Sequence, residues 1–300
     1  MKLNLRRRIK EAAMRSVNSP LGGNQRIARA LLWTLRTDYH GSGSNPAAGR
    51  IGRASCCITI DFDVSVPSRF EANRKGTSAL LELADAYNIP LTWAVCGKSA
   101  EDDLKSYSAI VSASTRDEVG VHTYGHIDAA ASTRERFQSD VKMCIQTLGL
   151  ESPRSFVFPW NREAHHDVLV ELGFKAFRGK DRAIGVPTRE SGLWNVRPVY
   201  YLDQKSIGAE SLIKRYVDFC VRYSGVFHLW SHPWSLTVDG NTKPMEETLG
   251  SVFEYISEKR RQGLMQPFTM GDLAASLEAE SAPMGTTLPS DAEARPSAVN

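Results

Sequence analysis

Residues 58–65 have the sequence ITIDFDVS, in which an apolar run ends in two aspartates separated by one phenylalanine. With the cysteines before it, this run predicts a buried strand over residues 55–60. Successive side chains of a strand point to opposite faces, so Asp61 and Asp63 extend to the same side of the chain. Two carboxylates at the end of a core strand indicate a functional site; the alternative is a pair of solvated turn aspartates.

Strand and helix patterns alternate along the chain on the carboxyl side of this strand. Apolar spacing predicts, among others, helices over residues 74–88, 133–149 and 210–225 and a strand over 90–97. Alternation at this spacing predicts an α/β fold with a parallel sheet and right-handed crossovers. Six to eight such units favour a barrel, although by length alone a core of roughly 220 residues also fits one large doubly wound domain.

The charge of the chain is concentrated in its first 53 residues. This segment contains eleven Lys and Arg against Glu11 and Asp38, a net charge of +9, so the total of +3 leaves −6 for the rest. Within this basic arm, residues 24–37 (NQRIARALLWTLRT) have the apolar spacing of an amphipathic helix. Such a helix either contacts an anionic membrane or packs its apolar stripe on the body of the protein. Nucleic acid is not an expected partner, because no nucleic-acid motif accompanies the charge.

Composition also predicts the domain boundaries. Residues 40–50 (HGSGSNPAAGR) have the composition of a linker, and residues 276–300 lack periodicity and are predicted to be disordered. A catalytic domain over residues 54–275 remains between the arm with its linker, residues 1–53, and this tail.

The sequence predicts a cytoplasmic protein. It contains no apolar run of the roughly 20 residues that span a bilayer, and no secretory pattern. Its five cysteines are odd in number and lack metal-type spacing, which indicates buried, reduced thiols. Attachment to the inner face of the membrane through the basic arm is an option that this localisation leaves open.

Polar residues follow several of the predicted strands. Asp61 and Asp63 follow the first, His122 and His126 (in GVHTYGHID) follow a later one, and His232 ends a late strand. In α/β barrels the carboxyl ends of the strands form one rim, which carries the active site. On one helical turn or in a tight loop, His122 and His126 can reach the same ion. With one carboxylate they form a two-His, one-Asp metal site that leaves positions open for water and substrate.

A second histidine pair with the same spacing does not indicate a metal site. His228 and His232, in HLWSH, belong to a predicted strand, on which they lie about 13 Å apart. This distance is too long for one ion, so His228 is predicted to be a core residue or to support the site from behind.

These residues resemble the polysaccharide deacetylases, also called the NodB homology domain or carbohydrate esterase family four. The resemblance consists of the Asp pair, an H-[ST]-x-x-H motif, the Pro-aromatic turn FPWN (158–161) and the late histidine, in the family's order over residues 54–275. It implies a distorted (β/α) barrel of about seven parallel strands, here preceded by a helical arm. It also implies one divalent metal ion, usually zinc, and hydrolysis of an N-acetyl group from an amino sugar.

The resemblance implies a role for each polar residue. Asp63, His122 and His126 are the expected metal ligands. Asp61 is the expected general base, which accepts a proton from the attacking water, and His232 the expected acid, which protonates the leaving amine.

Two tryptophans are expected beside these groups. By family analogy the backbone N–H of Trp160 stabilises the oxyanion. Trp160 and Trp234 are also candidate apolar faces for a sugar ring, with packing at the rim as the alternative.

The sequence departs from the family in two motifs. The third motif usually reads R-x-P-[YW]-G, and its arginine holds the catalytic base. Here Val157 stands in the arginine position and Asn161 in the glycine position, so Arg162 and Arg178 are candidates to orient Asp61. The family's usual Asp–Trp fourth motif is not clearly present.

Three functions are consistent with these observations. The first is a deacetylase that acts on an N-acetylated carbohydrate in cell-surface or exopolysaccharide metabolism, on a polysaccharide, an oligosaccharide or a glycolipid precursor. The second is a metal amidohydrolase on a non-sugar amide such as a ureide, which the Asp-x-Asp spacing permits. The third is a non-catalytic carbohydrate-binding protein of the same fold, which the retention of all five polar residues disfavours.

Overall fold

The computed structural model of the protein describes residues 10–16, 18, 38–40, 53–63, 66–113 and 116–281. The predictions for the linker beyond His40, for the amphipathic stretch 24–37 and for residues 282–300 lie outside these ranges.

The described chain forms twelve strands. Beyond residue 53 it also forms eight helices of six residues or more. The strands are Asp38–His40 (β1), Ala54–Phe62 (β2), Thr92–Val95 (β3), Glu118–Val121 (β4), Ser155–Val157 (β5), Ala176–Arg178 (β6), Ala183–Gly185 (β7), Thr188–Glu190 (β8), Leu193–Asn195 (β9), Tyr200–Tyr201 (β10), Val226–Ser231 (β11) and Met265–Phe268 (β12). The helices are Phe70–Tyr87 (α1), Gly97–Asp102 (α2), Leu104–Val111 (α3), Arg134–Thr147 (α4), His166–Glu171 (α5), Glu210–Arg222 (α6), Lys243–Arg261 (α7) and Met270–Ser281 (α8).

Strand β2 lies at the centre of one curled sheet. All nine of its residues are buried. The order along the sheet is β1-β7-β11-β2-β3-β4-β5-β6-β9-β8, and β12 also pairs with β2. From β11 through β9 the neighbouring strands are parallel, as the alternation of strands and helices predicts.

The segment from β9 to β10 brings the two sides of the sheet together. Strand β9 pairs with β6, whereas β10 pairs with β11 on the other side of β2. The sheet therefore curls back on itself, which confirms the predicted distorted (β/α) barrel. Between the two strands lies Pro198, which has no N–H to donate to a ladder. One continuous segment thus forms two short strands with different partners.

The two faces of β2 contribute to different parts of the core. Ile58, Ile60 and Phe62 belong to the larger apolar cluster, which the surrounding helices share. Cys57, on the opposite face, packs in a smaller cluster together with residues of other strands and of helix α8. On this face Cys57 is followed by Thr59 and Asp61, so the interior changes from apolar to polar toward the carboxyl ends of the strands.

The ends of the described chain pack on this body. Residues 10–16 are helical, and Met14 among them is fully buried in the larger core cluster. At the other end, helix α8 continues to Ser281, six residues past the predicted boundary at 275. In the part of the chain that the structure describes, no helix has the length and apolarity needed to cross a membrane.

Two glycines in helices make a matched test of this packing. A Cβ added to Gly76 in α1 would lie 2.0 Å from the carbonyl oxygen of Pro233, whereas a Cβ on Gly250 in α7 would meet its nearest atoms at 3.7 Å. We expect Gly76→Ala to lower the free energy of unfolding by about 1–3 kcal/mol, because helix α1 must move away from the turn after His232. Gly250→Ala should leave this free energy unchanged or raise it by up to about 1 kcal/mol, because alanine favours the helix. Urea denaturation measures both, and equal effects would contradict the close approach.

Candidate active site

The predicted site residues gather at the carboxyl ends of the parallel strands. All of them except Arg162 line a cleft of about 530 Å³, to which β2, β4, β6 and β11 each contribute near the point where the strand ends. The lining residues are Asp61, Asp63, Val66, Arg69, His122, His126, Trp160, Asn161, Arg178, Trp230, His232 and Trp234.

Asp63, His122 and His126 form a group that fits a metal ion. One ligand atom from each lies within 4.8 Å of the other two. His122 Nδ1 lies 2.7 Å from the carbonyl oxygen of Val157, which can only accept, so Nδ1 donates and the Nε2 lone pair is free for a ligand bond. Burial is the main reason that the pKa of His122 falls to about 4, so its imidazole is neutral at neutral pH, as metal binding requires. The donor set suits zinc and other divalent first-row metals.

A tight loop, not a helix, brings the two histidines together. Thr123 and His126 both have positive φ, 61° and 52°. The loop is held from helix α4 by Asp140, whose carboxylate accepts a hydrogen bond from Tyr124 N at 2.6 Å. The Thr123 hydroxyl accepts a second one from Ile127 N at 3.2 Å. These contacts hold the loop in the conformation that places the two imidazoles side by side.

Asp61 forms a buried ion pair with Arg178. The two guanidinium nitrogens Nη1 and Nη2 each donate to one carboxylate oxygen at 2.6 Å, and both side chains are almost fully buried. Burial alone would raise the pKa of Asp61, but the charge and hydrogen bonds of Arg178 outweigh it and hold this pKa below its usual range. Arg162, the other candidate, pairs instead with Asp128 at 2.8 Å.

The register of the sheet explains why Arg178 can contact Asp61. Val157 of β5 stands where the family motif has an arginine, and its partner across the ladder on β6 is Arg178. The arginine therefore lies at the same level of the sheet, one strand away.

Two side chains not singled out from the sequence support the guanidinium. Trp230 stacks on it, with Arg178 Cζ 4.2 Å from the ring centroid. Thr59 accepts a hydrogen bond from Arg178 Nη1 at 3.0 Å and lies 3.0 Å from His228 Nε2. His228 is thus a support behind the site, as predicted. The period-two alternation of strands could have identified Thr59 and Trp230, because each precedes a predicted catalytic residue by two positions.

His232 lies between the two aspartates and a tyrosine. Its Nε2 is 3.5 Å from Asp63 Oδ2 and 3.9 Å from Asp61 Oδ2, and its Nδ1 is 3.3 Å from the Tyr201 hydroxyl. Burial alone would lower the pKa of His232, but the nearby carboxylates, with Asp63 foremost, raise it above its usual value. His232 therefore has the position and the tendency to hold a proton that an acid needs.

The two tryptophans expected at the rim differ in their surroundings. Trp160 is 67% exposed and contacts His126 with its ring, so most of its surface is open to a ligand. Trp234 lies between His232 and Arg69, and its N–H donates to Asp63 Oδ1 at 3.2 Å. Its ring is thus engaged by protein groups, and packing describes it better than a free sugar platform.

The Pro-aromatic turn has an unusual backbone. Trp160 and Asn161 both adopt the left-handed conformation, with φ of 57° and 52°. Glycine adopts this conformation without strain, and asparagine is among the side chains that tolerate it best. Asn161 can therefore replace the glycine of the family motif without a change of turn.

Part of the chain is similar to known proteins. Residues 53–176 match the model of the family described as polysaccharide deacetylase. A peptidoglycan deacetylase of Helicobacter pylori is 32% identical over 110 residues, which are 35% of this chain and 36% of that protein. The match thus spans about a third of that relative's length. Residues 53–176 are thus similar to the polysaccharide deacetylase family, whose members are hydrolases of N-acetyl amide bonds in sugars.

Solved structures share the fold. A crystal structure from Mycobacterium smegmatis, assigned as a polysaccharide deacetylase, has a TM-score of 0.64 at 18% identity and covers 76% of this chain and 92% of that one. The crystal structure of Puue allantoinase has a TM-score of 0.59 at 15% identity, covering 80% and 96%. At these identities the likeness concerns the fold alone.

Removal of Arg178 tests the buried ion pair. Arg178→Met leaves the Asp61 carboxylate buried without its counter-ion, so we expect the free energy of unfolding to fall by about 3–5 kcal/mol. Arg162→Met, which breaks an exposed pair, should cost less than about 1 kcal/mol. Adding Asp61→Asn to Arg178→Met should restore part of the loss, because the uncompensated charge is gone. A double variant that is no more stable than Arg178→Met, by urea denaturation, would contradict this account.

Proposed function

We propose that the protein is a metal-dependent hydrolase that removes N-acetyl groups from amino sugars. The substrate would be a polysaccharide, an oligosaccharide or a glycolipid precursor in cell-surface or exopolysaccharide metabolism. One observation carries the proposal: a group of two histidines and a carboxylate that fits a metal lies in the same cleft as a buried, ionised Asp61 and a histidine, His232, that tends to hold its proton.

The metal would be a single divalent ion, most suitably zinc, held by Asp63, His122 and His126. Bound there, it would supply a Lewis acid for the acetamide carbonyl and lower the pKa of a water molecule. The chain would present two neutral imidazoles and one carboxylate to the ion. Asp61 lies next to these groups but would not be a ligand, because both of its carboxylate oxygens accept hydrogen bonds from Arg178.

The remaining residues would divide the proton transfers between them. Asp61 would accept the proton of the attacking water, and His232 would donate one to the amine nitrogen as the C–N bond breaks. The backbone N–H of Trp160, in the left-handed turn, would stabilise the oxyanion. The positions support these roles, because Asp61 Oδ2 and His232 Nε2 lie 3.9 Å apart in the same cleft.

A second candidate is hydrolysis of a non-sugar amide such as a ureide. The Asp-x-Asp spacing permits it, and the fold is shared with Puue allantoinase. Acetate release from N-acetylglucosamine oligomers and ammonia release from ureides, each measured with zinc supplied, would distinguish the two. A protein that binds the oligomers and hydrolyses neither would be the non-catalytic alternative.

The first prediction concerns the metal itself. We expect His122→Ala to lose stoichiometric zinc by elemental analysis, because two ligands hold the ion less tightly than three. His166→Ala removes a half-buried imidazole that is not among the three expected ligands, so this variant should retain zinc. Circular dichroism would check that both variants fold. Unchanged zinc in folded His122→Ala would exclude the site as described.

The second prediction separates the two aspartates. Asp63→Asn should weaken zinc binding, and its activity should recover partly with excess zinc. Asp61→Asn should keep zinc yet lose turnover by about 10²–10⁴-fold, because an amide cannot accept the proton. His232→Ala should also keep zinc and lose turnover. The reverse result, zinc loss in Asp61→Asn and retention in Asp63→Asn, would exchange the two roles.

Contact with an anionic membrane through the basic arm is a further part of this proposal, for a cytoplasmic protein at the inner membrane face. Each basic residue near such a surface contributes roughly 1 kcal/mol. Replacing Arg6, Arg7 and Arg8 by Gln in the full chain should then weaken co-sedimentation with phosphatidylserine vesicles by about 100-fold at low salt. Vesicles of phosphatidylcholine alone are the control. Equal sedimentation of both proteins with both vesicles would leave the arm as a packing element.

A further inference from the structure

The two ring nitrogens of His232 have different surroundings. Nε2 faces the cleft, where both Asp61 and Asp63 lie within 4 Å of it. Nδ1 faces the Tyr201 hydroxyl at 3.3 Å. Among the described residues, the carboxylates that contact His232 lie at Nε2. The group on the other side of the ring is therefore a neutral phenol.

Tyr201 is itself held in place by the sheet. It belongs to β10, where its partner across the ladder is Trp230 of β11. The two rings contact each other, with centroids 4.2 Å apart, and Trp230 also contacts the guanidinium of Arg178 and the ring of His232. The Tyr201 ring also meets His232 edge to face, with an interplanar angle of 88°. The phenol oxygen thus has a defined position relative to both the acid and the base.

We propose that Tyr201 is the positioning residue of the acid: its hydroxyl oxygen accepts a hydrogen bond from Nδ1–H of His232 and thereby directs Nε2–H toward the leaving amine. This inference rests on the proposed function. In the protonated ring both nitrogens donate, Nδ1 to Tyr201 and Nε2 into the cleft. As the C–N bond breaks, the proton on Nε2 moves to the amine nitrogen. The neutral ring that remains keeps its proton on Nδ1, so the contact with Tyr201 persists and the ring need not turn.

Tyr201→Phe tests this role, because it removes the hydroxyl and keeps the ring that packs on Trp230. We expect kcat for acetate release from an N-acetylglucosamine oligomer to fall by about tenfold or more, with KM unchanged, because an amine leaves only when protonated. Hydrolysis of 4-nitrophenyl acetate should change by less than about twofold, because its phenolate leaves without a proton. His232→Ala should show the same split between amide and ester.

Tyr200→Phe is the matched control. Tyr200 is the neighbouring tyrosine of β10, and its hydroxyl lies 3.4 Å from Ser206 Oγ, away from His232. The Tyr200→Phe variant should have an unchanged kcat for both the amide and the ester. If Tyr201→Phe leaves amide hydrolysis unchanged, or lowers amide and ester hydrolysis equally, the positioning role is wrong.

A second measurement is independent of the substrate. Nitrogen-15 NMR of ring-labelled histidine reports which nitrogen of neutral His232 carries the proton. We expect the Nδ1–H tautomer in the wild type and a mixture in Tyr201→Phe. An Nε2–H tautomer in the wild type would overturn the proposal. If instead the tautomer is as expected while no N-acetylated sugar releases acetate, the proposed function fails and the role of Tyr201 in orienting the ring stands.

Discussion

Asp61 and Arg178 face each other through two hydrogen bonds of 2.6 Å, in a part of the molecule from which water is almost excluded. Withdrawing two ions from water costs several kcal/mol for each, and their attraction offsets this cost only when the geometry is good and the remaining donors are satisfied. The rest of the site meets these conditions in part, because among the described residues Arg178 Nε has no hydrogen-bond partner. Thr59 accepts from the guanidinium, and Trp230 covers its face.

This constraint links three strands. Asp61 lies next to the end of β2, Arg178 ends β6 and Trp230 lies on β11. The curl of the sheet brings these three strands to one cleft. The segment that makes both pairings, β9 to β10, also carries Tyr201. The same stretch of chain thus joins the two sides of the sheet and places Tyr201 next to His232.

The ion pair also makes the surroundings of the two aspartates different. Both have a lowered pKa despite burial, and the groups that lower it differ: Arg178 foremost for Asp61, and the histidines, His232 foremost, for Asp63. A carboxylate whose two oxygens are already engaged by a guanidinium is a poor candidate for a metal ligand. Asp63, which faces His126 and His232, remains for that role.

The sequence by itself determined the local features. Alternation along β2 places Asp61 and Asp63 on one side, the spacing of His122 and His126 permits a common ion, and alternating strands and helices predict the parallel sheet. These features depend on the geometry of a few consecutive residues, which is independent of contacts with distant parts of the chain. The family resemblance added their order along the chain and the role expected of each.

Only the tertiary structure decided which arginine holds Asp61. Arg162 and Arg178 are equally plausible from the sequence, and the ladder between β5 and β6 places the second at the level of Val157. The same is true of Tyr201 beside His232, of Trp234 enclosed by Arg69 and of strand β12 beside β2. Each of these contacts joins residues about 30 to more than 200 positions apart. The register and curvature of the whole sheet determine such contacts, and no local pattern of residues encodes them.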